Sequence, residues 1–115
     1  MNIWIKPSIN RKSIFAFGKE DTLNNAMTEP GEMVQAVGKL RELDGRGVKD
    51  GREEAVQHLT EEMADTIVVI VNLMEIYGID RMALNRWLNI KQSRQDRRAD
   101  EEIEKREAGA EKNGD

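Results

Sequence analysis

The sequence predicts an all-α protein assembled from a few amphipathic helices. Charged residues make up 35% of the chain and aromatic residues only 4%, a composition that suits helices better than a β-sandwich or barrel. Apolar residues also recur at spacings of three and four over two long stretches. A chain of 115 residues has room for one domain and can bury only a modest core, so we expect further copies of the chain to complete the helical bundle.

The N-terminal residues 1–21 lack a sustained period, because isoleucines and phenylalanines are scattered among Pro, Ser, Asn and Gly. We therefore predict an irregular N-terminal extension or a short strand. A helical domain is predicted over residues 22–98, and its first helix begins at Thr22. Pro30 and Gly31 interrupt the helical pattern, so the helix either kinks there or restarts with Pro30 in a first turn. The apolar stripe of this helix contains Leu23, Ala26, Met27, Met33, Val34, Val37 and Leu40.

A second helix is predicted from about residue 53 to residue 77, after a glycine-rich loop over residues 44–51. Its middle, residues 67–71, is apolar on every side, and such a helix must be covered on every side. We expect a partner subunit to supply that cover in a homodimer or a homotetramer. The main stripe consists of Val56, Leu59, Met63, Ile67, Ile70 and Met74.

The third helix is predicted to begin near Arg81, since Gly78 favours a left-handed helix end and Asp80 is a good N-cap. We expect this helix to bury Leu84, Trp87 and Leu88. Residues 99–115 keep strong helix formers but lose the apolar spacing. They are predicted to form a charged helical tail that becomes disordered at residues 113–115.

Composition and charge exclude several functional classes. The chain has no cysteine, which rules out disulfides and thiolate metal sites. No targeting segment is visible, and the longest apolar run, residues 67–71, is far too short for a membrane span. We therefore expect a cytoplasmic protein with no membrane partner. The net charge of −4 and the acidic tail argue against a nucleic-acid partner.

Two acidic pairs are candidates for a metal site. Glu29 and Glu32 are three residues apart on the first helix, and Glu62 and Asp65 are three apart on the second, so each pair shares one helix face. If the helices pack antiparallel, the pairs face each other, and four convergent carboxylates require a cation such as Mg²⁺. The alternative is that these residues are ordinary solvated glutamates and aspartates.

A basic face on the third helix contains Lys91, Arg94 and Arg98, which follow Trp87 at spacings of four, three and four. Lysine and arginine in this arrangement can hold phosphate oxygens. An acidic face followed by a basic one is what a polyphosphate site needs. Taken alone, the basic face is better explained as an ordinary solvated surface.

The sequence around the acidic pairs resembles the motif of a known protein family. Residues 61–80 resemble the second half of the MazG-like nucleotide pyrophosphohydrolase motif, which places E-x-x-E on one helix and E-x-x-D on the next. Glu29 and Glu32 stand at the first pair, Glu62 and Asp65 at the second, and Asn72 at a polar position seven residues later. The resemblance spans about residues 22–98. Thr28, where many members have glutamate, and Pro30, between the two ligands, depart from the pattern.

The resemblance implies a MazG-like bundle that hydrolyses nucleoside triphosphates to a monophosphate and pyrophosphate. The four carboxylates would hold Mg²⁺ against the triphosphate, and Glu61 would orient or deprotonate the attacking water. Asn72, Lys91 and Arg94 would bind the substrate; the alternative for the Asn72 amide is a hydrogen bond across a helix pair. The alternative is a non-catalytic helical module with the same fold, serving as a nucleotide sensor or in protein interaction, and Thr28 and Pro30 favour it.

Overall fold

The computed structural model describes residues 2–113, and over these residues the chain forms four α-helices and no strand. The helices are α1 (Pro7–Phe17), α2 (Lys19–Gly45), α3 (Arg52–Tyr77) and α4 (Arg81–Asn113). The expected all-α class is confirmed. None of the helices in the described part of the chain combines the length and apolar character needed to cross a bilayer.

The N-terminal segment differs from the prediction, because residues 7–17 form α1. Pro7 occupies the first turn, where its missing N–H is harmless, and Gly18 ends the helix with a φ of 93°. Apolar periodicity does not reveal α1 because its large side chains point outward: Phe15 is 92% exposed. The residue that α1 buries most deeply is polar, Asn10.

Helix α2 is continuous through Pro30, which excludes the alternative that the helix restarts there. A six-residue turn then leads into α3, so α2 and α3 form an antiparallel helical hairpin. A salt bridge of 2.9 Å from Arg52 Nε to Asp44 Oδ1 closes the loop end of the hairpin. Helix α1 packs against both α2 and α3.

The seam of the hairpin repeats every seven residues. On α3 the buried residues are Ala55, Glu62 and Val69. On α2 the buried residues are Thr22, Ala36 and Leu43, and half-buried Glu29 fills the remaining seventh position. Small residues allow two helices to approach closely. The large apolar stripes predicted as the core lie beside this seam and are only partly covered.

The predicted boundaries of α3 and α4 agree with the structure. Gly78 adopts the left-handed conformation with a φ of 63°, and Asp80 Oδ1 accepts a hydrogen bond of 3.0 Å from the backbone N–H of Met82. The predicted burial of the third helix is not observed in the single chain, where Trp87 is 57% and Leu88 is 48% exposed. Helix α4 continues through the predicted tail to Asn113. The disorder expected at residues 114 and 115 lies outside the described residues.

The chain divides into two compact units, residues 1–79 and residues 80–115. The first holds α1, α2 and α3 together with all four predicted metal ligands. The second holds α4 with Lys91 and Arg94.

Candidate metal centre

The hairpin brings three of the four predicted ligands together. One carboxylate oxygen from each of Glu29, Glu32 and Glu62 lies within 4.8 Å of the other two. Glu29 and Glu62 reach this point because both occupy seam positions, while Glu32, one turn after Glu29, approaches from the exposed edge. The antiparallel packing predicted from the short glycine loop therefore has the expected consequence for these three residues.

Two carboxylate oxygens in this cluster are buried without a partner. Oε2 of Glu29 and Oε2 of Glu62 are shielded from solvent and accept no hydrogen bond within the described chain. Glu62 as a whole is only 8% exposed. A buried charged oxygen without a partner is strongly unfavourable. A bound cation or a shared proton would relieve this penalty.

Burial and mutual repulsion act on these carboxyl groups in the same direction. Burial raises the pKa of Glu29 above its ordinary value, and the charge of Glu32 raises it further. Burial also raises the pKa of Glu62, again with a contribution from the charge of Glu32. His58, whose Nε2 lies 3.8 Å from Glu62 Oε1, acts in the opposite direction on Glu62. The cluster is therefore electrostatically unfavourable without a cation.

The donor set fits a hard divalent ion. Three carboxylate groups supply only oxygen ligands, and Mg²⁺ prefers oxygen ligands while keeping coordination positions for water and phosphate. Asp65, the fourth predicted ligand, is exposed and stays outside the group of three. Its negative charge nevertheless raises the pKa of both Glu29 and Glu62, so it lies within electrostatic reach of the cluster.

The side chain of Thr28 forms hydrogen bonds with the backbone of its own helix and is not part of the acidic cluster. Its Oγ1 donates to the carbonyl oxygens of Asn24 at 3.3 Å and Asn25 at 3.2 Å, as threonines inside helices often do. Glu61, predicted to act on the attacking water, is exposed and takes no part in the group of three. His58, which the sequence did not assign to the site, contacts the cluster through its Nε2, 3.8 Å from Glu62 Oε1.

Asn72 lies in the same unit as the acidic cluster and is half-buried. Its Oδ1 accepts a hydrogen bond of 2.7 Å from Nδ2 of Asn10 on α1. The sequence gives no signal for Asn10, since a single asparagine in a segment without periodicity is unremarkable. Lys91 and Arg94 are exposed on α4, in the second unit.

A cavity of about 700 Å³ lies at the loop end of the hairpin, away from the acidic cluster, and is lined by residues that include Leu43 and Val56. Its charged lining includes Asp44 and Arg52, which already neutralise each other. Unlike the acidic cluster, it presents no pair of unpartnered buried charges. We therefore place the functional site at the carboxylates.

Comparison with protein-family models, with curated proteins and with solved structures gives no match for this chain.

Proposed function

We propose that the chain is a Mg²⁺-dependent nucleoside triphosphate pyrophosphohydrolase of the MazG-like kind. The observation that carries this proposal is the cluster of Glu29, Glu32 and Glu62, with two buried oxygens that lack a partner. An acidic cluster built on a helix seam destabilises the hairpin unless it serves a ligand. The MazG-like motif assigns these same residues to metal binding.

The chain's own groups divide the work of the reaction. Glu29, Glu32 and Glu62 hold the ion from the hairpin seam, and Asp65 extends the negative surface toward solvent. When bound, Mg²⁺ polarises the phosphoryl group and neutralises charge on the triphosphate. Lys91 and Arg94 offer further positive charge for phosphate oxygens. Glu61 is the residue we propose to orient water for attack between the α and β phosphates.

An open apolar surface supports assembly with a second copy of the chain. At 100° per residue, Val56, Met63 and Ile70 lie on the side of α3 opposite to Asp65. Val37 on α2 lies on the same side of the hairpin. These four side chains are between 39% and 49% exposed. We propose that this surface joins copies into a homodimer or homotetramer, which leaves the acidic face free for substrate.

Pyrophosphate release tests the proposed activity. Wild-type protein is incubated with a panel of canonical and modified nucleoside triphosphates, with Mg²⁺ and with EDTA. We expect Mg²⁺-dependent release of pyrophosphate and a nucleoside monophosphate. Asp65→Asn should reduce this release by about 10- to 100-fold, because Asp65 contributes negative charge beside the ligands. No release from any triphosphate would refute the enzyme and favour the non-catalytic module.

A further inference from the structure

A polar cavity of about 360 Å³ lies where α1 meets the hairpin. Its volume is in the range of small-molecule sites. One aromatic residue, Phe17, lines it together with hydroxyl, amide and carboxylate groups: Ser13, Asp21, Thr22, Asn24, Asn25 and Asn72. Such a lining suits a neutral polar molecule better than a hydrocarbon.

A chain of hydrogen bonds fixes one of these amides. Asn10 is 5% exposed, and its Nδ2 donates both to the backbone carbonyl oxygen of Val68, at 3.3 Å, and to Oδ1 of Asn72, at 2.7 Å. Because a backbone carbonyl can only accept a hydrogen bond, the end of the Asn10 amide that faces the Val68 carbonyl must be its NH₂ group. The atom of Asn72 that faces this NH₂ group must then be the oxygen.

This order of donors and acceptors leaves a defined group for a ligand. Since Oδ1 of Asn72 is engaged by Asn10, the free end of the Asn72 amide is Nδ2, which only donates. We propose that Asn10 is a positioning residue: it holds the Asn72 amide so that Nδ2 donates to a neutral acceptor oxygen at the nucleoside end of the substrate. This inference rests on the proposed function for two points: the substrate is a nucleotide, and its phosphates bind at the acidic cluster.

The position of the cavity agrees with that assignment. Thr22 precedes Glu29 by seven residues, and Asn72 follows Asp65 by seven. Seven residues are two helical turns, or about 10 Å, so the cavity lies on the face of the carboxylates and two turns away from them. A nucleotide whose phosphates reach the cluster would place its sugar or base near Asn72.

Titration with unphosphorylated nucleosides tests the inference without metal or turnover. Uridine and inosine carry a base carbonyl where cytidine and adenosine carry an amino group, uridine and cytidine share a second carbonyl at the pyrimidine 2-position, and 2′,3′-dideoxyuridine lacks the 2′ and 3′ hydroxyls. We expect the side-chain amide NMR signals of Asn72 to shift on binding. An acceptor at the pyrimidine 4-position or purine 6-position gives shifts with uridine and inosine alone, and one at the pyrimidine 2-position gives shifts with uridine and cytidine alone. A 2′ or 3′ hydroxyl as acceptor gives shifts with all four ribonucleosides and none with 2′,3′-dideoxyuridine.

Asn10→Asp separates positioning from simple packing. A carboxylate at residue 10 cannot donate to the Val68 carbonyl and would accept from Asn72, turning its oxygen toward the cavity. We expect binding of the preferred nucleoside to weaken roughly tenfold, which corresponds to one lost hydrogen bond. Asn72→Asp keeps the shape, removes the donor and should weaken binding equally. Arg11→Gln breaks the 3.2 Å salt bridge to Glu75, another tie between α1 and α3, and should leave binding unchanged.

The outcomes distinguish this inference from the proposed function. If the wild type hydrolyses triphosphates but no nucleoside shifts the Asn72 signals, or if both aspartate variants bind like the wild type, the positioning role is refuted and the enzyme stands. Equal weakening by Arg11→Gln also refutes it, because the effect would then come from α1 packing. If nucleosides bind as expected and no triphosphate is hydrolysed, the enzyme is refuted and the positioning role stands.

Discussion

Glu62 unites the two properties that define the candidate centre. It occupies a seam position that packing would normally reserve for an apolar residue, and its Oε2 is buried without a partner. An ionised Glu62 is therefore unfavourable for folding at this position, and the proposed ion would offset that cost. A functional site that opposes stability in this way is common in enzymes.

Replacing this carboxylate should separate stability from metal binding. In EDTA we expect Glu62→Gln to melt at a higher temperature than the wild type, because it removes repulsion with Glu29 and Glu32. Adding Mg²⁺ should stabilise the wild type and leave the variant unchanged, and Mg²⁺-dependent hydrolysis should fall on the order of 100-fold or more. Thermal melts with and without Mg²⁺ measure the first two effects.

Glu42→Gln is the matched control, since Glu42 is an exposed glutamate on α2 outside the cluster. It should retain the Mg²⁺ response of the wild type. A Glu62→Gln protein that still gains stability from Mg²⁺ would show that the ion binds elsewhere.

Protonation of Glu29 and Glu62 predicts a pH dependence with a defined sign. Both pKa values are raised in the folded chain, so between the ordinary glutamate range and the raised values the folded state holds more protons than the unfolded state. In EDTA, the contribution of these groups to the free energy of unfolding therefore falls as pH rises through that window. Binding of Mg²⁺ should tighten over the same window, because the ligands lose their protons. Melts from about pH 4 to about pH 8, compared between wild type and Glu62→Gln, isolate this contribution. A difference that does not change with pH would contradict it.

At the scale of single elements, helix boundaries follow from local sequence. Gly78 and Asp80 mark the junction of α3 and α4 because a left-handed residue and an N-cap act within a few residues. Pro7 and Gly18 bound α1 in the same way. What local sequence did not reveal is that the residues between Pro7 and Gly18 form a helix, because the side chain that α1 buries most deeply is an asparagine and its phenylalanines are exposed.

Replacing a glycine with alanine should change the free energy of unfolding in opposite directions at Gly38 and at Gly78. Gly38 lies inside α2, where a Cβ would meet no other atom within 4 Å, so Gly38→Ala should stabilise the chain by about 0.5–1 kcal/mol. Gly78 has a φ of 63°, so Gly78→Ala should destabilise it by about 1–2 kcal/mol. Urea denaturation measures both. Stabilisation by both variants would contradict the left-handed end of α3.

At the scale of the whole molecule, the first unit has two unlike faces. The acidic cluster and the cavity beside α1 lie on one side of the hairpin, and partly exposed apolar residues lie on the other. A monomer with this much open apolar surface is expected to associate. Assembly through the apolar face would cover it without obstructing the carboxylates.

A charge placed on the apolar face tests this arrangement. Met63→Glu should convert the assembled wild type into monomers, since a buried unpaired carboxylate is strongly unfavourable at an interface. Gln57→Glu adds the same charge to an exposed position on another side of α3 and should leave the assembly intact. Light scattering after size-exclusion chromatography measures the mass. A monomeric wild type, or equal effects of both variants, would refute assembly through this face.

The sequence by itself determined the all-α class, the bounds of α3, the start of α4 and the two acidic pairs, because helix signals and spacings act over a few residues. It did not determine which side of each helix turns inward. The strongest apolar stripe of α3 suggested a core through Met63 and Ile70, whereas the observed seam runs through Ala55, Glu62 and Val69.

That choice belongs to the tertiary structure, since it depends on how closely two helices far apart in sequence can pack. Ala36 and Ala55, small residues of the seam, let α2 and α3 pack closely, and the seven-residue repeat places Glu29 and Glu62 in the same seam. The same packing seats α1 against α3 and couples Asn10 to Asn72, a contact between residues 62 positions apart. Neither the burial of the carboxylates nor this asparagine pair has a local signature, because both arise only when the helices meet.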